Sequence, residues 1–223
     1  MKIELYDNIN YWDSTFLRIV MNRFKVTGIV LAAGLSSRMG QLKQLLTIGG
    51  IPSVVRVVRS LVNAVDEVVV VLGHRAEEIE VVLESERCRC VFNQDYSLGM
   101  LSSVQCALSE IQTSSSYLIA LADQPQIKES TVSCILQNAF TLSKGIVIPK
   151  FQGKRGHPVF IHSKYYREIS ELNHHVGLNF FTRSHKEDVL EVDLQEVEIV
   201  RDMDTPNDYK RIKRLLGDFS RDG

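Results

Sequence analysis

The 223-residue chain has no run of about 18 consecutive apolar residues, so the sequence offers no helix able to span a bilayer. Its opening stretch, MKIELYDNINYWDSTFLRIVMNRFK, has no apolar core followed by a small-residue cleavage site, and is not expected to be a secretory signal. Positive charge is not in excess: 26 Lys and Arg against 27 Asp and Glu leave a net charge of −1. Broad nucleic-acid binding needs a basic face, so neither nucleic acid nor membrane is an expected partner. Cysteine is scarce. Cys88, Cys90, Cys106 and Cys134 lack further ligands at finger-like spacing, which argues against a zinc site. They read as buried or half-buried thiols suited to a reducing cytoplasm. No two histidines stand at H-x-x-x-H spacing.

Two familiar phosphate loops are also missing. After Val26–Ala32, a continuous apolar run of the buried-strand type, Gly34 is followed by Leu35 and Ser36, so the dinucleotide fingerprint G-x-G-x-x-G fails. The P-loop fails too, because five residues separate Gly34 from Gly40 and no Lys-Ser/Thr follows.

What is present is a regular alternation. Helical patterns at Pro52–Ala64, Arg75–Ser85, Gly99–Ile111 and Ser130–Phe140 alternate with apolar runs at Asp66–Gly73, Cys88–Asn93, Ser116–Asp123 and Gly145–Lys150. Such βαβ repeats predict a three-layer αβα, Rossmann-like α/β fold with a mostly parallel sheet. Further strands are expected in GHPVFIH and DVLEVDLQEVEIVRD, and a last helix over Pro206–Leu216. One domain is expected over 26–223, preceded by an extension at 1–25. In parallel sheets ligands bind beyond the carboxyl ends of strands. The segments after Ala32, Gly73, Asn93 and Leu121 are therefore the ones to inspect.

The loop after Ala32 carries Gly34, Gly40, Arg38 and Lys43. Small residues allow close approach of the backbone to an anion, and N–H groups in a turn form a donor nest. Arg38 can grip phosphate with two donors and Lys43 supplies a compact charge. A tight strand-to-helix turn with two solvated cations accounts for the same residues equally well.

LAAGLSSRMGQLK resembles the L-A-[AG]-G-x-S-x-R-M-G-x-x-K signature of the MobA-like nucleotidyltransferases, most of all the molybdenum cofactor cytidylyltransferases. The resemblance runs from about Val26 to Leu216. It implies the nucleotidyltransferase type of sheet and a loop that wraps the triphosphate of an incoming nucleotide. Leu31, Ala32, Ala33, Gly34, Ser36, Arg38 and Lys43 would bind that nucleotide. Ala33, where GTP-using members carry a second glycine, points towards CTP. NQDYSLGMLSSV resembles the segment beside base and ribose, which brings in Gly99 and Ser103; helix capping is the plain alternative for the serines.

LADQPQI and RDMDTPNDY resemble the two acidic motifs of the family. They imply that Asp123 and Asp204, with Asp202, hold Mg²⁺ against a phosphate. A turn before Pro125, and a solvated acidic turn, are the structural alternatives. Asp202 and Asp204 share one side of an extended segment, and Asp208 is expected on the following helix. GKRGHPVF resembles a motif of the cytidylyltransferase branch, so Gly156 and His157 are candidates to face the acceptor or to brace it. One departure stands out: relatives carry G-D-x-G-A-R where this chain has HHVGLN at 174–179.

The reaction so implied is attack of an acceptor phosphate, such as that of molybdopterin, on the α-phosphorus of CTP, with pyrophosphate leaving. Arg38, Lys43 and Asp123 would be the catalytic groups, and a molybdoenzyme is a possible partner. Another phosphorylated acceptor, GTP as donor, or a non-catalytic nucleotide-binding maturation factor are the alternatives. An NAD-dependent dehydrogenase is disfavoured by the missing fingerprint.

Overall fold

The computed structural model describes residues 25–36 and 39–218. The expected extension at 1–25, except Lys25, lies outside the described residues, and so does Arg38.

Strand β1 (Val26–Leu31) lies at the centre of an eight-stranded sheet. It pairs in parallel with β4 (Glu67–Leu72) on one side and β6 (Ser116–Leu121) on the other, with Ile29 opposite both Val69 and Ile119. Strand β5 (Arg89–Phe92) extends one edge in parallel. Beyond β6 the order is β9 (Val159–Ile161), β7 (Ile146–Phe151) and β10 (Val189–Asp193), with β8 (Lys154–Arg155) paired to β7. Of the strands on this path β9 alone runs against its neighbours, antiparallel to both β6 and β7. A small hairpin, β2 (Thr47–Ile48) and β3 (Ile51–Pro52), stands apart.

The central strands are mostly apolar because both faces are covered, and the period of two divides them. Val68 and Val70 join one core layer, and Val69 and Val71 the other. The first layer lies under α1 (Ser53–Leu61), α2 (Ala76–Leu83) and α4 (Glu129–Leu142). Helix α1 buries Val54, Val55, Val57, Val58 and Leu61, a stripe of helical spacing, and leaves Arg59 in solvent. The second layer lies under α3 (Met100–Glu110), α5 (Tyr166–Ser170) and α6 (Gly177–Ser184). Helices thus cover both faces, as the alternating pattern predicted.

A third, smaller cluster joins Met39, Leu46 and Ile48 to Met203 and Ile212. It fastens the glycine-bearing loop to the last helix, α7 (Pro206–Leu215). That helix starts at a capping box in which the Thr205 hydroxyl accepts from the Asp208 N–H and the Asp208 carboxylate accepts from the Thr205 N–H. Pro206 occupies its first turn, where a missing N–H costs nothing.

The long strand expected over DVLEVDLQEVEIVRD is shorter in the fold: only Val189–Asp193 is strand, and Val197–Val200 forms a 3₁₀ turn. The β10–β7 register ends at Asp193 opposite Lys150, after which Phe151 of β7 pairs with Lys154 of β8 instead. HHVGLN forms the entry to α6, with Gly177 at φ 68° and Leu178, Phe181 and Thr182 turned into the core.

Candidate active site

Strand β1 ends at Leu31, and the chain leaves the sheet through the buried Ala32 and Ala33 to the exposed Gly34. What holds the loop open is Gln44, only 1 % exposed. Its amide donates to the carbonyls of Ala32 (3.0 Å) and Gly34 (3.1 Å) and accepts from the Ser36 hydroxyl (3.0 Å). The same hydroxyl accepts from the Lys43 N–H at 3.2 Å. Ser36 and Gly40 adopt positive φ, 53° and 69°, which turns the chain back. Carbonyls are thereby drawn inward onto one side chain. Among the described residues no acceptor meets the N–H of Gly34 or Leu35.

The return limb enters a 3₁₀ turn, Lys43–Leu45, which aims Lys43 at the end of β6. Its ammonium donates to Asp123 and, at 3.0 Å, to Asp204. Three segments distant in sequence therefore meet on one amine. Burial works against the charge on Lys43, yet the Asp123 and Asp204 carboxylates outweigh it and hold its pKa above the usual lysine value. Burial raises the pKa of Asp123, and Asp202 and Asp204 add to the rise against the pull of Lys43. Asp123 and Asp204 thus share one ammonium at a partly buried site, with the exposed Asp202 close enough to act on Asp123.

Two glutamines of the Asp123–Gln126 stretch bind the C-terminal acidic segment to the strand end. Gln124 donates to Asp202 at 2.8 Å, and Gln126 donates to the carbonyls of Glu198 (2.9 Å) and Arg201 (2.7 Å). The Met203 N–H donates to the Asp123 carbonyl at 3.0 Å, and Ser53 fixes the preceding carbonyl of Ala122 at 2.6 Å. Met203 is fully buried while Asp202 and Asp204 flank it, so the two acids take the opposite side, as an extended segment requires.

Helix α3 begins after Gly99, whose φ of 102° suits glycine. Ser103 is buried, and its hydroxyl accepts from Asn93 at 3.0 Å, as does that of Ser102, which itself donates to the Asp95 and Gly99 carbonyls. The serines knit the helix start to the end of β5.

On the far side of the acidic cluster lies a cavity of about 320 Å³, lined among others by Met100, Arg155, Gly156, His157, His174 and Asn179. Gly156 passes so close to Ile199 that a Cβ would sit 2.2 Å from its carbonyl oxygen. The His157 N–H donates to that oxygen at 3.0 Å. Its ring Nδ1 stands 3.3 Å from the Ile119 carbonyl, an acceptor only, so Nδ1 carries the proton and Nε2 the lone pair. Burial lowers the pKa of His157 and keeps the ring neutral, although Asp202 and Asp123 pull the other way. The field of the acidic cluster thus reaches the cavity. Arg155 is already engaged, donating to Glu191 at 2.7 Å.

Of the residues that sequence reasoning singled out, Lys43, Asp123 and Asp204 meet directly, Asp202 is tied to the same strand end through Gln124, and Gly156 and His157 line the cavity. The same reasoning missed Gln44, Gln124 and Gln126. Their signal was the polar residue type inside otherwise apolar or turn segments.

The donor set suits a hard cation. Among the described residues no three His, Cys, Asp or Glu side chains form a ready cage. Magnesium, however, takes one or two carboxylates and completes its shell with phosphate oxygens and water. Asp123 and Asp204 converge on a single positive charge, and the buried Oε1 of Gln124 beside them has no donor among the described residues. Such an acceptor can receive a hydrogen bond from a metal's hydration water.

A family model for the MobA-like NTP transferase domain matches residues 28–189. The chain is 26% identical over 182 residues to the molybdenum cofactor cytidylyltransferase of Escherichia coli strain K12, covering 81% of this chain and 92% of that protein. It is 30% identical over 196 residues to the nicotine blue oxidoreductase of Paenarthrobacter nicotinovorans, covering 84% and 96%. Among solved structures, a nucleotidyl transferase from Methanothermobacter thermautotroptrophicus superposes with a TM-score of 0.76 at 22% identity, over 88% of this chain and 99% of that one. No helix among the described residues is long and apolar enough to cross a membrane.

Proposed function

The chain belongs to the MobA-like NTP transferase family, and we propose from that premise that it moves CMP from CTP onto the phosphate of molybdopterin or its molybdenum-bearing form, releasing pyrophosphate. The observation that carries the reading is the meeting of Lys43 with Asp123 and Asp204 at the mouth of the glycine-bearing loop. Likeness to the cytidylyltransferase of Escherichia coli and the alanine at position 33 support CTP as donor.

The transfer needs no protein nucleophile, and catalysis is positioning plus neutralisation of charge. The N–H groups of Ala33–Ser36 cradle the β- and γ-phosphates, with Leu31 and Ala32 setting the level of the loop. Arg38 and Lys43 offset the charge on the departing pyrophosphate. Gly99 and the start of α3, with Ser103 fixing it, border the base and ribose. Asp123 and Asp204, with Asp202 held nearby by Gln124, would hold Mg²⁺. When bound, that ion would supply neutralisation of phosphate charge. His157 and Gly156 line the cavity on the acceptor side. The enzyme works in the cytoplasm, handing its product to a molybdoenzyme.

The cavity also favours a second acceptor class. Its one arginine is already paired with Glu191, and its polar groups include His174 and Asn179, the second of which stands where family relatives carry a base. An acceptor less anionic than molybdopterin fits that lining. Pyrophosphate release measured with CTP, GTP, ATP and UTP, each with molybdopterin and with sugar and alcohol phosphates, tests both. CTP with molybdopterin is expected to give the fastest release. Release with GTP alone, or with none of the pairs, overturns the cytidylyl reading.

A further inference from the structure

The Lys43 ammonium lies between Asp123 and Asp204, donating to both. The amine lies within ion-pair distance of both carboxylates, and its side chain is only 16 % exposed. Lys43 also lies on the limb of the loop that carries the candidate phosphate donors, tied to Ser36 through its own N–H. One flexible cation thus has two sets of partners within reach of its stem, carboxylates now and phosphates later.

We infer that Lys43 is a tethered counter-ion that occupies the divalent-cation site and is exchanged out of it when metal and nucleotide enter together. The inference rests on the proposed reading that Asp123 and Asp204 hold the metal. Metal alone must displace a buried ammonium and leave it without a partner, which is costly. Nucleotide alone must draw Lys43 off two carboxylates, each of which then loses that ion pair. When both enter, the cation replaces Lys43 between the carboxylates and the triphosphate receives the freed ammonium. Every charge is then paired. The site consequently favours the metal–nucleotide pair over either component, and Lys43 is the source of that coupling, which is of the usual size for linked sites, about 5- to 150-fold.

The test uses Mn²⁺ as probe, with binding followed by electron paramagnetic resonance and by thermal shift, on the full chain. The unaltered protein is expected to bind Mn²⁺ weakly alone and about tenfold or more tightly with the α,β-methylene analogue of CTP. Lys43→Met is expected to bind Mn²⁺ alone more tightly than the unaltered protein, to gain melting temperature from Mn²⁺, and to lose most of the coupling. Lys43→Gln, which keeps a polar head without the charge, should behave alike. On the unaltered chain, labelling of the Lys43 amine by an acylating reagent should rise with Mn²⁺ alone and fall again with Mn²⁺ plus analogue. That readout needs no variant to fold.

Unchanged or weaker Mn²⁺ binding in both Lys43 variants, or labelling indifferent to Mn²⁺, overturns the inference. Asp123→Asn separates the two levels. If it abolishes Mn²⁺ binding while the Lys43 variants do not tighten it, the metal site stands and the exchange alone fails. If it leaves Mn²⁺ binding intact, the metal assignment itself is wrong.

Discussion

Lys43 donates a hydrogen bond to Asp204 at 3.0 Å across 161 positions of sequence. No local motif produces that contact. It requires β1 and β6 to be neighbours in the sheet, the loop after β1 to fold back through Gln44, and the segment after Val200 to be drawn over the strand ends by two glutamines. Each support is a separate place where activity can be lost.

Asp123→Asn keeps the shape of the side chain and removes its charge. Losing one such electrostatic group typically lowers the rate on the order of 10²–10³-fold. The fold should persist, because asparagine keeps the size of the side chain and Lys43 retains its contact to Asp204 at 3.0 Å. Pyrophosphate release, set beside circular-dichroism melting curves, checks both halves of the expectation. Near-normal turnover would remove Asp123 from the chemistry.

Gln44→Ala is expected to cost about 1–3 kcal/mol, since the buried carbonyl of Ala32, the carbonyl of Gly34 and the Ser36 hydroxyl all lose their shared partner. The loop then loses its shape as well as its stability. Nucleotide KM should rise more than kcat falls. Urea midpoints and steady-state kinetics on the same preparation give the two numbers.

Gly156→Ala places a methyl group against the backbone of Ile199, with 2.2 Å to its oxygen and 2.7 Å to its carbonyl carbon. Backbone cannot rotate away, so the segment carrying Arg155 and His157 must shift. Overpacking of this kind costs about 1–3 kcal/mol. Activity with the acceptor should fall while nucleotide affinity, measured by calorimetry, holds. A variant as stable and active as the parent would show that the approach is looser than described.

Asp188 gives a pH prediction. Burial tends to raise its pKa, but hydrogen bonds from Lys164, Tyr165 and the Gly145 N–H, with the Lys164 charge, bring it down to about 2. A carboxyl depressed in the folded state stabilises above its unfolded value, about 3.9, and that contribution fades as pH falls towards the folded value. Asp188→Asn should therefore be less stable than the parent at pH 6, and the gap should close between about pH 4 and 2. Denaturant midpoints of the two proteins across that range decide it.

The layered fold was legible because burial on two faces favours near-continuous apolar strands, as in Val26–Leu31, Glu67–Leu72 and Ser116–Leu121, where Thr27, Glu67 and Ser116 are the polar exceptions. Ends of elements were off by a residue or two, as caps such as Gly99 and Thr205 decide them. The antiparallel insertion of β9 was hidden, because a three-residue strand carries no periodicity and its direction is set by the hairpin-like return from β7. At the site, charged residues at strand ends declared themselves. The glutamines did not, because an amide has no charge pattern and its value depends on which carbonyls it meets. Helix α6 was missed for a similar reason, since Gly177 at its start looks like a turn.

The order of the chain has a further result. The ladder partners of β1, β4, β5, β6, β7, β9 and β10 are all complete by Asp193, yet the second carboxylate on Lys43 comes at Asp204, and α7 and Met203, which fasten that segment to the loop, surround it. A nascent polypeptide emerging from the ribosome can lay down its whole sheet and remain inert. On the proposed reading, a molecule translated only as far as Asp193 lacks Asp204 and does not consume nucleotide.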